Sequence, residues 1–157
     1  MIELKQNKWN QVVIPHSNAL SGKGMQDLIN LMMEVKKFKY VVLDDMQGIA
    51  QEYLMHIFQN QQHIVMRLKD LLPILQDVEW FEWGCFYLLE EYNENWDNEG
   101  HYFDFYMVKK TDSTIRAMDG NYAYIYTPYD SVAEIVTKNY TTEEIKTDFL
   151  ENLDYPG

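Results

Sequence analysis

Apolar residues recur along this chain with two different spacings, and the change from one to the other divides it. In the first half, Met25, Leu28, Ile29, Met32, Met33 and Phe38 follow a helical spacing, which predicts an amphipathic helix over 25–38. Ile49, Tyr53, Leu54, Ile57 and Phe58 predict a second helix. Two β-prone runs, WNQVVI from Trp9 and YVVL from Tyr40, read as strands; Pro15 closes the first and DDMQG the second. The stretch HIVMRLKDLLPILQD fits either a helix or a short strand followed by a helical turn with Pro73 near its start.

The second half alternates with a period of two. Residues 80–89, 101–109, 113–118 and 121–127 read as an antiparallel meander. Asp119-Gly120 between two alternating runs is the signature of a two-residue hairpin, because both turn positions require φ > 0. Val132, Ile135 and Val136 suit a short helix. Thr141-Thr142-Glu143-Glu144 has the form of a capping box, with Ile145, Phe149 and Leu153 behind it at helical spacing. The expected fold is α+β: a single domain over 1–157, mainly an antiparallel sheet (the meander at about 80–127), with helices packed on one face.

Composition narrows the function. The 157 residues are 46% hydrophobic and 15% aromatic, enough for one packed core. No apolar run is long enough for a bilayer span, and MIELKQNKWNQVVIP does not read as a signal peptide. A single cysteine, Cys85, excludes a disulfide framework and points to a cytoplasmic protein. The net charge is −12, unevenly distributed. Residues 1–69 are net +2, residues 109–157 net −4, and residues 70–108 carry ten acids without a Lys or Arg. Such a field repels nucleic acid and speeds encounter with a basic partner.

Candidate chemistry is sparse. His56 and His63 lie seven apart, on one face if they shared a helix, but no metal-ligand spacing accompanies them, and no metal or cofactor is expected. The stretch SNALSGKG departs from the phosphate-loop pattern at both ends and reads as a helix-entry loop. Asp44-Asp45 ends a buried strand, where a small enzyme could place carboxylates. Cys85 sits in an apolar strand as an inert thiol would. Two tryptophans, Trp80 and Trp83, three apart in WFEWG, would point to opposite faces of a strand and read either as core packing by at least one of them or as an exposed anchor beside acids. The run EEYNENWDNEG, residues 90–100, exceeds an ordinary hairpin loop and surrounds Tyr92 and Trp96 with acids. The residues expected to meet a partner are Glu79, Glu82, Glu90, Glu91, Tyr92, Glu94, Trp96, Asp97, Glu99 and Asp104, with Tyr92 or Trp96 exposed.

An aromatic strand, WFEWGCFYLLEE, beside an acid cluster in a small acidic α+β chain resembles the immunity proteins of bacterial contact-dependent-inhibition and related polymorphic toxin systems. The resemblance implies a non-enzymatic protein that binds a cognate basic toxin, such as a nuclease domain, and covers its active or substrate-binding site without touching nucleic acid or membrane. The competing classes are an acidic nucleic-acid mimic, against which the positive first 69 residues count, and a small enzyme using Asp44/Asp45.

Overall fold

A computed structural model describes residues 2–16, 18–60, 63–92, 96 and 103–156. Seven strands form one sheet in the order β3-β2-β4-β5-β6-β1-β7: β1 (Trp9–Pro15), β2 (Tyr40–Ala50), β3 (His63–Arg67), β4 (Val78–Leu89), β5 (Ser113–Met118), β6 (Tyr122–Thr127) and β7 (Lys146–Asp148). Every pairing is antiparallel. Alternation sends one set of side chains, including Val12, Val41, Leu43, Phe86, Leu88, Ile115 and Ile125, into the main core. There they meet Leu28, Ile29 and Met32 of α1 (Gly22–Met33), Leu54 of α2 (Glu52–Asn60), Leu71 of α3 (Leu68–Ile74) and Val132 and Val136 of α5 (Asp130–Asn139). The α+β class, the antiparallel sheet and the packing of the longer helices on one face agree with the sequence pattern.

The opposite face is also partly covered. Met107 and Val108, on the short helix α4 (Phe105–Val108), are fully buried against it, and Leu150, Leu153 and Tyr155 close over Trp9 and Tyr126.

Several expected elements change. The strand at 101–109 is absent over its described part, because the Asp104 side chain accepts hydrogen bonds from the Tyr106 and Met107 amides and caps α4; His101 and Tyr102 lie outside the described residues. β4 therefore pairs directly with β5, and the meander is three strands. DDMQG does not end β2: the strand continues through a bulge at which Asp45 adopts φ 54°. The first helix ends at Met33, five residues early, and Ile49 belongs to β2 rather than to α2. His63–Arg67 is a strand, with Pro73 in the last turn of the helix that follows rather than near its start. The terminal helix is replaced by β7 and a 3-10 turn, Leu150–Asn152. Tertiary pairing overrides the capping box there: the Glu143 amide donates to the Val13 carbonyl, and Gln11 exchanges two hydrogen bonds with Asp154.

Candidate protein-binding interface

β2 and β4 pair over most of their length, from Tyr40↔Leu89 to Ala50↔Val78. The sequence contains no Lys or Arg between Lys39 and Arg67, or between Lys69 and Lys109. The sheet thus zips two base-free segments together. Their far halves, Gln47–Ala50 and Val78–Trp83, form a two-stranded ribbon with three register shifts, each adding local twist. The strands come very close at Gly48, where a Cβ would lie 2.1 Å from the Trp80 carbonyl oxygen. Val78 and Phe81 fix one side of the ribbon to the main core.

Trp80 and Ala50 also pack against that core, and several other positions face water. Glu79 and Glu82 are exposed, and Trp80 and Trp83 are partly exposed. Ile49 is 59% exposed and Tyr53, on α2, 46%. Asp45, Glu52 and Asp119 are exposed around them, and the Tyr53 hydroxyl donates to Asp77. The β5–β6 turn closes the group: Trp80 Nε1 donates to the Gly120 carbonyl at 3.1 Å, and the Gly120 amide donates to that of Glu82 at 2.8 Å. The ribbon thus presents exposed carboxylates and partly exposed aromatic rings along the same two strands.

The other expected contact residues are engaged within the chain. Glu90 pairs with Lys36 at 2.5 Å and Glu91 with Lys39 at 3.5 Å. Asp104 caps α4. Tyr92 and Trp96, expected to be exposed, are half-buried on the second sheet face: Tyr92 lies 6.1 Å from the Tyr40 ring, and Trp96 5.9 Å from the Tyr87 ring and 6.0 Å from Lys110 Nζ. Glu94, Asp97 and Glu99 lie outside the described residues. Of the ten, Glu79 and Glu82 are exposed on the strand that carries Trp80, packed against the main core, and Trp83, beside Arg116 on the second face.

The second sheet face carries a cross-strand row that motif spacing could not reveal: His63, Asp44, Cys85, Arg116 and Tyr124 are successive partners across β3, β2, β4, β5 and β6. His63 Nδ1 lies 3.6 Å from Asp44 Oδ1. Arg116 is 95% buried, since its relative exposure is 5%. Its Nη1 donates to Cys85 Sγ at 2.9 Å, and its guanidinium lies between the rings of Phe103 (4.3 Å) and Trp83 (5.5 Å). Burial pushes the Cys85 thiol up to about 11, with Arg116 opposing, so at neutral pH the sulfur is a protonated thiol rather than a nucleophile. Burial also raises the Asp44 carboxyl above the usual carboxylate value, and His63 opposes that shift. Asp45 does not join Asp44; it is exposed and accepts a hydrogen bond from Gln47 at 3.0 Å. His56 and His63 sit on different elements, α2 and β3. Among the described residues, no three His, Cys, Asp or Glu side chains converge as a metal site requires. Ser21 caps α1 through the Gly24 amide, as a helix-entry loop does. The one sequence signal for the row was a lone arginine within the otherwise uncharged strand STIRAM.

Compared with known proteins, the chain matches no family model, and no curated protein or solved structure at a significant level.

Proposed function

We propose that this chain is a toxin-neutralising protein of the immunity class, acting in the cytoplasm by binding a cationic toxin domain, such as a nuclease, and covering its active or substrate-binding surface. The observation that carries the reading is the pairing of two base-free segments into one ribbon, which presents exposed Glu79, Glu82, Asp45 and Ile49 along with partly exposed Trp80 and Trp83. Carboxylates steer a basic surface in, and partly buried aromatic rings supply the contact area that holds it. This reading favours the ribbon over Glu90 and Glu91, whose charges are offset by Lys36 and Lys39. Nucleic-acid mimicry fits less well. Lys36, Lys37, Lys39, Arg67 and Lys69 gather at the opposite end of the β2–β4 pair, where Tyr40 faces Arg67 and Leu89, whereas a mimic needs carboxylates spread widely.

The test is co-expression with the protein encoded beside this one. The neighbour is expected to arrest growth alone and to be neutralised by the wild-type chain. Paired Glu79→Lys and Glu82→Lys changes should abolish protection, while Glu90→Gln with Glu91→Gln keeps it. A harmless neighbour, or toxicity that persists beside the wild-type chain, refutes the class. Protection that survives the ribbon reversals removes the ribbon from the interface.

A further inference from the structure

The two edges of the sheet are built differently. At one end β7 is three residues long and charged at both tips, Lys146 and Asp148. A short, charged edge strand resists pairing with another chain. At the other end β3 pairs with β2 alone, through five consecutive residue pairs without a bulge. It contains no proline, and its one permanent charge, Arg67, stands at the tip where α3 begins. Val65, at its centre, is 40% exposed. Among the described residues no strand lines the outer side of β3, so backbone N–H and C=O groups there are open to a further strand.

We propose that β3 of one copy pairs antiparallel with β3 of a second copy about a two-fold axis at Val65, joining two sheets into one. The occupant follows from the strand's own sequence. An axis at Val65 pairs every residue of β3; an axis at Ile64 or Met66 leaves two residues of each β3 without a mate in the other. At Val65 the axis sets Val65 against itself and Ile64 against Met66, on the face where both pack with the main core. Arg67 is exposed and, among the described residues, forms no ion pair in its own chain. The antiparallel pairing sets it beside His63 of the second copy, in the row that continues to Asp44 of that copy. Those two backbones lie two strand spacings, about 10 Å, apart, which an arginine and an aspartate side chain span together. The two Arg67 side chains stand at opposite ends of the pair, so like charges are kept apart. β3 flanks only Tyr40–Asp44 of β2, and the ribbon from Gln47 onward stays uncovered in both copies. The inference therefore stands without the toxin-neutralising reading. One strand pair is a small interface, so the dimer is weak and reversible, in the micromolar range.

Sedimentation velocity on the purified chain, from about 1 µM to about 500 µM, reads the mass. The expected result is a reversible shift from one chain toward two. Val65→Lys places like charges side by side on the axis and should weaken association at least about tenfold, with the fold kept by circular dichroism. Val65→Cys gives a reading that does not depend on that variant. Directly opposed residues hold their Cβ atoms about 4.5–5.5 Å apart, so a mild oxidant should join two Val65→Cys chains by a disulfide. Glu79→Cys, exposed on the ribbon, and the wild-type chain, whose Cys85 is buried, should stay single. A mass of one chain across the whole series overturns the proposal. So does a dimer that folded Val65→Lys leaves unchanged, or a Val65→Cys chain that cross-links no faster than Glu79→Cys.

Discussion

Burial disfavours the ionised form of Asp44 and raises its carboxyl above the ordinary value, with the His63 and Arg116 charges opposing. The sign follows from linkage. A carboxyl whose folded pKa lies above its ordinary 3.8 contributes stability that is full below that value and lost as pH rises through the folded one. Asp44→Asn, which keeps the shape and removes the charge, is therefore expected to raise Tm by about 2 °C at pH 7. Melts repeated at pH 3.5 should show the gain gone; an equal gain at both pH values would mean that desolvation of the charge is not its origin. Cys85 makes the complementary point. The sequence already placed it in an apolar strand as an inert thiol, and burial keeps it protonated. What remained illegible was its company: Arg116, Asp44 and His63 reach the same row only through the register of four strands, which no local spacing encodes.

At the scale of elements, signals that close within a few residues were readable, and those decided by a distant partner were not. Asp119-Gly120 announced its hairpin because the turn's demand is local; both residues take positive φ, 56° and 61°. Gly120→Ala should lower stability by about 1 kcal/mol from backbone strain alone. The added Cβ would also meet Glu82 Oε2 at 2.9 Å, the flexible end of a side chain that can move aside. Chemical denaturation measures the loss, and an unchanged midpoint would show that the turn tolerates a side chain. By contrast, the alternation of FDFYMV imitates a strand, yet Asp104 bonds the two amides ahead of it and starts a helix. TTEE imitates a helix start, yet the edge of β1 captures the chain first. The acidic stretch from Glu90 was readable as unusual, but the packing of its Tyr92 and Trp96 was not. Tyr92 and Trp96 pack with Val42 of β2, Leu89 of β4 and Met107 of α4, three separate elements.

Along the β2–β4 pair, the ribbon end carries acids without a Lys or Arg in either strand, while the bases gather toward Tyr40, where Lys36 and Lys39 are paired with Glu90 and Glu91. A surface so polarised orients a charged partner before contact. Association with the basic partner is expected to slow by about tenfold or more between 10 mM and 150 mM salt, as the screening length falls from about 30 Å to about 8 Å. Dissociation should change far less, because Trp80, Trp83 and Ile49 hold by contact rather than by field. Stopped-flow rates across a salt series decide this, and a flat association rate would exclude steering. The alternation of β4 has a consequence for descent. Val78 and Phe81 are committed to the core, while Glu79 and Glu82 touch water. Interleaved along one strand, the two sets answer to different pressures: the inward residues must persist for the chain to fold, and the outward ones are free to diverge. On the proposed reading, a lineage built on this ribbon exchanges one adversary for another by rewriting its outward letters, with the architecture beneath left intact.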